Sequence, residues 1–273
     1  MKLPKIKIIL LTPIVLFGLF YLVGVYIVAT DDRTVEPRTN MDVSVKDIAI
    51  FGASGTAGDG ILKAALASSE VANIYVFTRR VTPRMEDALS TGKIKVINHM
   101  DYLDYSAVIN QLANVDTTFW AIGLTSIGTD EATYRKIHTD FPLQFLREWR
   151  GINSNNELSF HFISSSDISE DSTTMWIREK IRAEKSLFSF AEEQNLKVIA
   201  YRPDYIGPTD EEAHIGQLIL YWFFAPVGAA VQSTQIGQAM IEVSARDDEF
   251  KNGDKLVTSK IIRYSDAYES KSN

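Results

Sequence analysis

The sequence predicts an α/β fold, a doubly wound parallel sheet with an N-terminal transmembrane helix. Three observations predict it. Short β-rich runs alternate with helical stretches, a glycine-rich loop joins the first such strand to the first such helix, and an uncharged apolar stretch precedes both. Strands separated by helices need crossover connections, which make neighbouring strands parallel and lay helices on both faces of the sheet.

The apolar stretch comes first. Lys2, Lys5 and Lys7 lead into residues 8–29, which carry no charge. At 1.5 Å per residue that run is about 33 Å long, enough for a hydrocarbon core of about 30 Å. A cleaved secretory signal has a shorter apolar run and small residues at its cleavage site. Here Ile27 occupies a position that cleavage after Ala29 would need small. Residues 1–29 are therefore expected as an uncleaved membrane anchor, with Pro13 tolerated in its first turns. The lysines favour a cytoplasmic N-terminus, but Arg33, Arg38 and Lys46 follow the anchor, and the sidedness of the domain stays open. Residues 30–46 are polar, contain Pro37, lack periodicity and are expected as a linker.

Beyond the linker, residues 47–51, 74–78, 94–98, 117–122, 159–164 and 196–201 read as strands. Residues 56–68, 106–112, 131–149 and 176–193 read as helices, and 231–245 as a late one. Hydrophobic residues are 45% and charged residues 23%, ordinary for a globular chain. The net charge of −7 opposes a nucleic-acid surface, which needs a concentrated basic face. Without cysteine there is no disulfide and no thiolate chemistry. His99, His138, His161 and His214 are scattered without ligand spacing, so no metal is expected.

The first strand, Ile48-Ala49-Ile50-Phe51, runs directly into Gly52-Ala53-Ser54-Gly55-Thr56-Ala57-Gly58. Gly52 permits a tight turn, Gly55 lets a pyrophosphate approach the backbone, and Gly58 lets the helix pack closely. The helix N-terminus then offers unbonded N–H groups and a positive dipole end. In this context the loop marks a Rossmann-type dinucleotide site, with Gly52, Ser54, Gly55, Thr56, Ala57 and Gly58 as contacts. NAD-specific sites usually place a carboxylate at the end of the second strand; this chain has Phe77-Thr78-Arg79-Arg80. Guanidinium groups at Arg79 and Arg80 suit a 2′-phosphate, favouring NADP(H). Residues 47–262 are expected as the NAD(P)-binding domain and 263–273 as a polar tail.

Over about residues 48–241 the chain resembles the atypical short-chain dehydrogenase/reductase superfamily, in its NmrA-like and Tat-interacting-protein-like branch. The glycine loop and Arg79-Arg80 carry the resemblance, with Asp101 after the third strand. So do Ala121-Ile122-Gly123-Leu124-Thr125 after the fourth strand and Ile163-Ser164-Ser165 after the fifth. The resemblance implies that Asp101 bonds the adenine amino group, that Gly123 lines the nicotinamide side and that Lys180 bonds the nicotinamide ribose.

Active members of that superfamily use Ser, Tyr and Lys, with Tyr and Lys four apart on one helix face so that Lys tunes the phenol. By this register Lys180 fits the lysine and Ser165 (or Ser164) the serine, while Trp176 holds the tyrosine's place. An indole donates a hydrogen bond but has no accessible acid pKa. Tyr201 and Tyr205 bracket Arg202-Pro203, and neither has a lysine four residues on. Tyr134 has His138 four residues on, read as a solvated or capped helix histidine with a substitute acid as the alternative; Asp140 reads as a surface charge.

Two functions follow from the resemblance and its defect. One is an NADP(H)-dependent oxidoreductase acting on an apolar carbonyl or alcohol with another acid, such as Ser165, water or Tyr205. The other is a non-catalytic NADP(H)-binding sensor or scaffold. Residues 215–228 carry no charge and admit three readings. They form core beneath a substrate lid, a pocket for a lipid-like substrate, or a patch dipping into the anchor's membrane.

Overall fold

Ile48, Ala49, Ile50 and Phe51 of β1 (Lys46–Phe51) are each no more than 1% exposed. A strand apolar on both faces belongs in the middle of a parallel sheet covered on both sides, and that is where β1 lies in the computed structural model. Described residues are 5–38, 46–153, 157–246 and 248–271, with 5–11 described by backbone alone.

The chain enters through the helix α1 (Lys5–Ala29). From β1 it continues through α2 (Thr56–Ala67), β2 (Val71–Thr78), α3 (Pro83–Leu89) and β3 (Ile94–Asn98). It then returns to the far side of β1 as β4 (Thr117–Trp120), followed by α4 (Glu131–Arg135) and α5 (Phe141–Ile152). Next are β5 (Ser159–Ile163), α6 (Met175–Gln194) and β6 (Lys197–Arg202). A small ribbon pairs β7 (Tyr205–Gly207) with β8 (Ala230–Gln232), and α7 (Ile215–Phe224) lies between them. The helix α8 (Ser233–Ser244), the strand β9 (Lys255–Val257) and the helix α9 (Thr258–Glu269) follow.

The main sheet has the order β3-β2-β1-β4-β5-β6-β9, parallel throughout. Side chains alternate across it. Ile48 and Ile50 face α2, α8 and α9 with Leu62, Met240 and Ile261. Ala49 and Phe51 face α5 and α6 with Phe145, Trp149 and Leu187. On the first face α2 and α8 touch backbone to backbone: a Cβ on Gly60 would lie 2.3 Å from the Ser233 carbonyl carbon. The strand order reverses between β1 and β4, which opens a crevice at the carboxyl ends of the strands.

Apart from the expected helix 106–112, which is only a 3-10 turn at Ile109–Leu112, the expected elements are present with three corrections. The expected helix 131–149 is interrupted by a π turn at Lys136–Asp140, where the Phe141 N–H reaches back to the Lys136 carbonyl. Pro142 accounts for it: it has no N–H for the carbonyl of His138, and its ring pushes that carbonyl aside. Of the expected polar tail 263–273, residues 263–271 belong instead to the fold, and 272–273 lie outside the described residues. The former continue α9, whose buried Ile261, Tyr264, Ser265 and Ala267 recur at helical spacing, and β9 before it is the seventh strand. Outer-face Lys260, Arg263 and Asp266 conceal that stripe when the segment is read by composition.

The third correction concerns the linker, whose residues 39–45 lie outside the described ones. Residues 30–38 form a strap. Asp31 pairs with Arg263 at 2.5 Å, Arg246 donates to the Glu36 carbonyl, and Arg38 bonds both Glu70 and Glu242. Glu242 is fully buried and also meets Arg246 and Lys271. Burial alone would raise its carboxyl pKa, but hydrogen bonds from Arg38 and Lys271 outweigh it and hold the group below its ordinary value. The strap therefore fixes where α1 leaves the domain.

Within α1, Thr12–Ala29 has a mean hydropathy of 2.2 and no buried residue, so by length and composition it can cross a bilayer. Its neighbour is the apolar helix α7 with the 3-10 turn Ala225–Val227. Phe17 stacks on Phe223 at 6.3 Å, and the Tyr21 hydroxyl donates to the Phe223 carbonyl.

Glu242→Gln is expected to lower the unfolding free energy by about 3 kcal/mol, because removing one partner leaves buried cations uncompensated. Denaturant unfolding of the full chain in detergent would measure it. A carboxylate held below its unfolded pKa stabilises above that pKa and loses its contribution as pH falls through the folded one. The difference from wild type should therefore shrink in acid. A loss under about 0.5 kcal/mol at neutral pH would mean that the cluster behaves as a solvated surface pair.

Candidate functional site

At the end of β1 the chain turns on Gly52, with φ at +82°, where a Cβ would stand 2.6 Å from the Ala121 carbonyl carbon. Only glycine accepts both that conformation and that approach. The Gly55 N–H bonds the Gly52 carbonyl at 3.0 Å, curling the loop, and α2 begins at the next residue with no side-chain cap. The first N–H groups of α2 thus have no acceptor within the helix. A Cβ on Gly58 would fall 2.1 Å from the Gly52 oxygen, so this glycine packs the helix on the loop itself, while a Cβ on Gly55 would meet that oxygen at an ordinary 3.6 Å and Gly55 lines the opening beside it.

That opening is a cavity of about 510 Å³ lined by Ser54, Gly55, Thr56, Arg80, His214 and Gln217 among others. Arg80 arches over the loop and donates to the Ser54 carbonyl at 3.2 Å. Asp59, in the first turn of α2, would repel an anion, but it is buried and neutralised. Arg84 clasps it at 2.7 and 3.0 Å, and Thr209 donates at 2.6 Å. An uncapped helix start, a glycine floor and an arginine at the lip are features a diphosphate requires, and Asp59 and Glu212 also lie on the lining. The residues present fit a dinucleotide.

Of the expected contacts Ser54, Gly55, Thr56 and Arg80 line this cavity, and Gly52, Ala57, Gly58, Arg79, Asp101, Gly123 and Lys180 do not. Arg79 is exposed, with its guanidinium 5.9 Å from the Tyr102 ring centre. Asp101 is exposed just beyond β3, where it accepts from the Leu103 N–H at 2.9 Å. Both stand on the β2–β3 side, beyond the diphosphate cradle.

On the other side of the crevice a second cluster forms around His138. The π turn rotates this residue inward; it is 7% exposed, lies 4.2 Å from the Tyr134 ring and holds the loop after β4. Its Nε2 lies 3.3 Å from both the N–H and the carbonyl of Leu124, and its ring abuts Gly123. Burial, reinforced by the nearby Lys180 charge, lowers its pKa to about 3. The expectation of a solvated helix histidine is therefore corrected. The substitute-acid alternative also loses its basis, since this imidazole is neutral near pH 7. The signal in the sequence was Pro142, four residues on in an otherwise helical run.

Lys180 on α6 is half-buried, and its Nζ donates to the Ile163 carbonyl at 3.3 Å. Burial lowers its pKa to about 8 against the opposing pull of Glu184. The two serines divide their work. Ser164 is buried and donates to Glu184 at 2.6 Å, and Glu184 is gripped by Arg202 at 2.8 and 2.5 Å. Ser165 is half-exposed. Trp176 is half-buried in the first turn of α6, one turn before Lys180. Tyr201 sits in the core with its hydroxyl 3.0 Å from His161 Nδ1, and the Tyr205 hydroxyl donates to the Gln217 carbonyl. Among the described residues no three His, Asp or Glu side chains converge as metal ligands.

No protein-family model and no curated protein matches this chain. Solved structures do match its fold. An oxidoreductase of the short-chain dehydrogenase/reductase family from Burkholderia thailandensis aligns with a TM-score of 0.59 and 15% identity, over 78% of this chain and 90% of that one. A short-chain dehydrogenase/reductase from Serratia marcescens aligns with a TM-score of 0.60 and 14% identity, over 79% and 96%. A UDP-N-acetylglucosamine 4-epimerase from Methanobrevibacter ruminantium aligns with a TM-score of 0.56 and 18% identity, over 73% of each chain. Identities this low speak for the fold. The chain has the Rossmann-like α/β architecture that short-chain dehydrogenases and reductases share.

Proposed function

We propose that the chain binds NADP(H) in the crevice and acts as an oxidoreductase on an apolar carbonyl or alcohol, held to a membrane by α1. One observation supports the reading: the glycine loop Gly52–Gly58 follows β1, and Ser165 and Lys180 follow β5, on the other side of the strand-order reversal between β1 and β4. A dinucleotide spanning that crevice has its phosphates on α2 and its reactive ring toward α6.

In this reading Gly52, Ser54, Gly55, Thr56, Ala57 and Gly58 hold the diphosphate, while Arg79 and Arg80 supply cations for a 2′-phosphate. Asp101 serves the adenine and Gly123 borders the nicotinamide. The bound nicotinamide supplies the hydride chemistry. Ser165 holds the substrate oxygen. Lys180, with a pKa near 8, bonds the ribose and provides the proton at that oxygen through water, a task Trp176 cannot perform. His138 stays neutral and positions the Gly123 loop. Trp176 supports a second reading, a binder that keeps the cradle and has lost the acid.

Calorimetric titration of the full chain is expected to show tighter binding of NADPH than NADH. Replacing Arg79 and Arg80 together by alanine should weaken NADPH by about tenfold or more, since a hydrogen bond to a charged group contributes about 1.5–3 kcal/mol. NADH should change little; equal losses for both would remove the 2′-phosphate assignment. Gly55→Asp, which puts a carboxylate into the cradle, should abolish binding of either.

The pH profile separates the two readings. With Lys180 as the proton source, carbonyl reduction falls as pH rises through about 8, and Lys180→Met removes that limb. Trp176→Tyr should raise turnover by about 10²-fold, the usual scale of a positioned acid. Cofactor binding without turnover in both wild type and Trp176→Tyr would favour the sensor.

A further inference from the structure

The strap sets α1 in a definite place. Asp31 is tied to Arg263 in the first half of α9, and Arg38 to Glu70, just before β2. Residues 30–38 thus run from the carboxyl edge of the sheet toward its amino edge, and α1 leaves from the carboxyl edge. That is the edge holding the cradle and Lys180. On it α7 forms a bridge. Its N-terminal end, with His214 and Gln217, lines the diphosphate cavity, and its C-terminal end lies on α1.

No residue of α7 is buried. Ile215 is 79% exposed, Ile219 57% and Trp222 65%, while Ile14, Phe20 and Tyr26 of α1 are similarly open. The two helices thus present one continuous apolar surface to their surroundings. Depth along α1 decides what covers it. Val28 meets Gly228, Gly24 meets Val227, and Phe17 stacks on Phe223. Phe17 lies about 18 Å up the helix from Ala29, more than half of a hydrocarbon core of about 30 Å. A bilayer that takes in the apolar length of α1 therefore takes in the end of α7. At about 15 Å, α7 is too short to cross it.

We infer that α7 is a monotopic insertion into the leaflet nearest the domain, which seats the crevice against the membrane so that its substrate arrives from the lipid phase. This rests on the proposed membrane tether. The bilayer suits the surface because residues 215–228 carry no charge, whereas a water-facing helix alternates polar and apolar faces. The acidic turn Asp210–Glu212 just before α7 is the point where polar surface resumes, at the level of the headgroups.

The chain has no cysteine, so single labels can be placed cleanly. Trp222→Cys, Ile219→Cys, Phe20→Cys and Glu193→Cys would each carry an environment-sensitive fluorophore on the full chain in phosphatidylcholine vesicles, with nitroxide-acyl lipids as quencher. The inference requires blue-shifted emission and quenching at 219 and 222 comparable to those at position 20, with position 193 unaffected. Quenching at 20 without quenching at 219 and 222 overturns the inference and leaves the tether standing. Quenching at none of the three overturns both, and circular dichroism of each variant excludes misfolding as the cause.

Discussion

Full burial of β1 on both faces is the constraint on which the rest is arranged. A strand with Ile48 and Ile50 on one side and Ala49 and Phe51 on the other cannot lie at an edge, so the chain must build outward from it in both directions. It lays down β2 and β3 on one side, then crosses back to place β4 on the other. The loops leaving β1 and β4 consequently diverge, and the crevice between them is a product of topology before any side chain is considered. Gly52, pressed against Ala121, is where the two diverging loops touch.

The junctions around this crevice are held by buried carboxylates, each gripped by arginine. Asp59 with Arg84 joins α2 to α3, Glu184 with Arg202 joins α6 to β6, and Glu179 with Arg135 joins α6 to α4. Glu242 with Arg38 and Arg246 joins the strap to α8. Taking such charges out of water is unfavourable, and their mutual attraction offsets it only when geometry is good. Apolar contacts would stabilise as well but would allow sliding. Forked guanidinium–carboxylate bonds fix register. Two of these carboxylates lie near the candidate site: Asp59 is paired with Arg84, and Glu184 accepts from Ser164 while Ser165 stays half-exposed.

Periodicity and glycine spacing made the sheet and the glycine loop legible, since both depend on neighbours in sequence. The strand 94–98 and the loop from Gly52 to Gly58 lie where local pattern puts them. What escaped depends on distant partners. Whether 263–271 is a tail or a helix turns on Glu70 and Glu242 receiving Lys271, and on Ile261 and Tyr264 finding the far side of α8. His138 looked solvated because a regular helix would turn it outward, and only the π turn brings it in. That Ser164 is engaged depends on Glu184, twenty residues away.

The strap, α7 and the crevice together address the missing tyrosine. In an aqueous site a substrate oxygen can take its proton from bulk water, and a dedicated acid chiefly accelerates the step. In the inferred setting against a membrane the solvent supply is restricted, and groups already at the crevice matter more. Lys180 is half-buried with its pKa lowered to about 8, and Trp176, also half-buried, stands one turn before it on α6. An indole at position 176 is also compatible with an apolar substrate, whose body needs a surface to lie on where a phenol would present a hydroxyl. On the proposed function, Trp176 and the apolar helix α7 beside the crevice would serve the same apolar substrate.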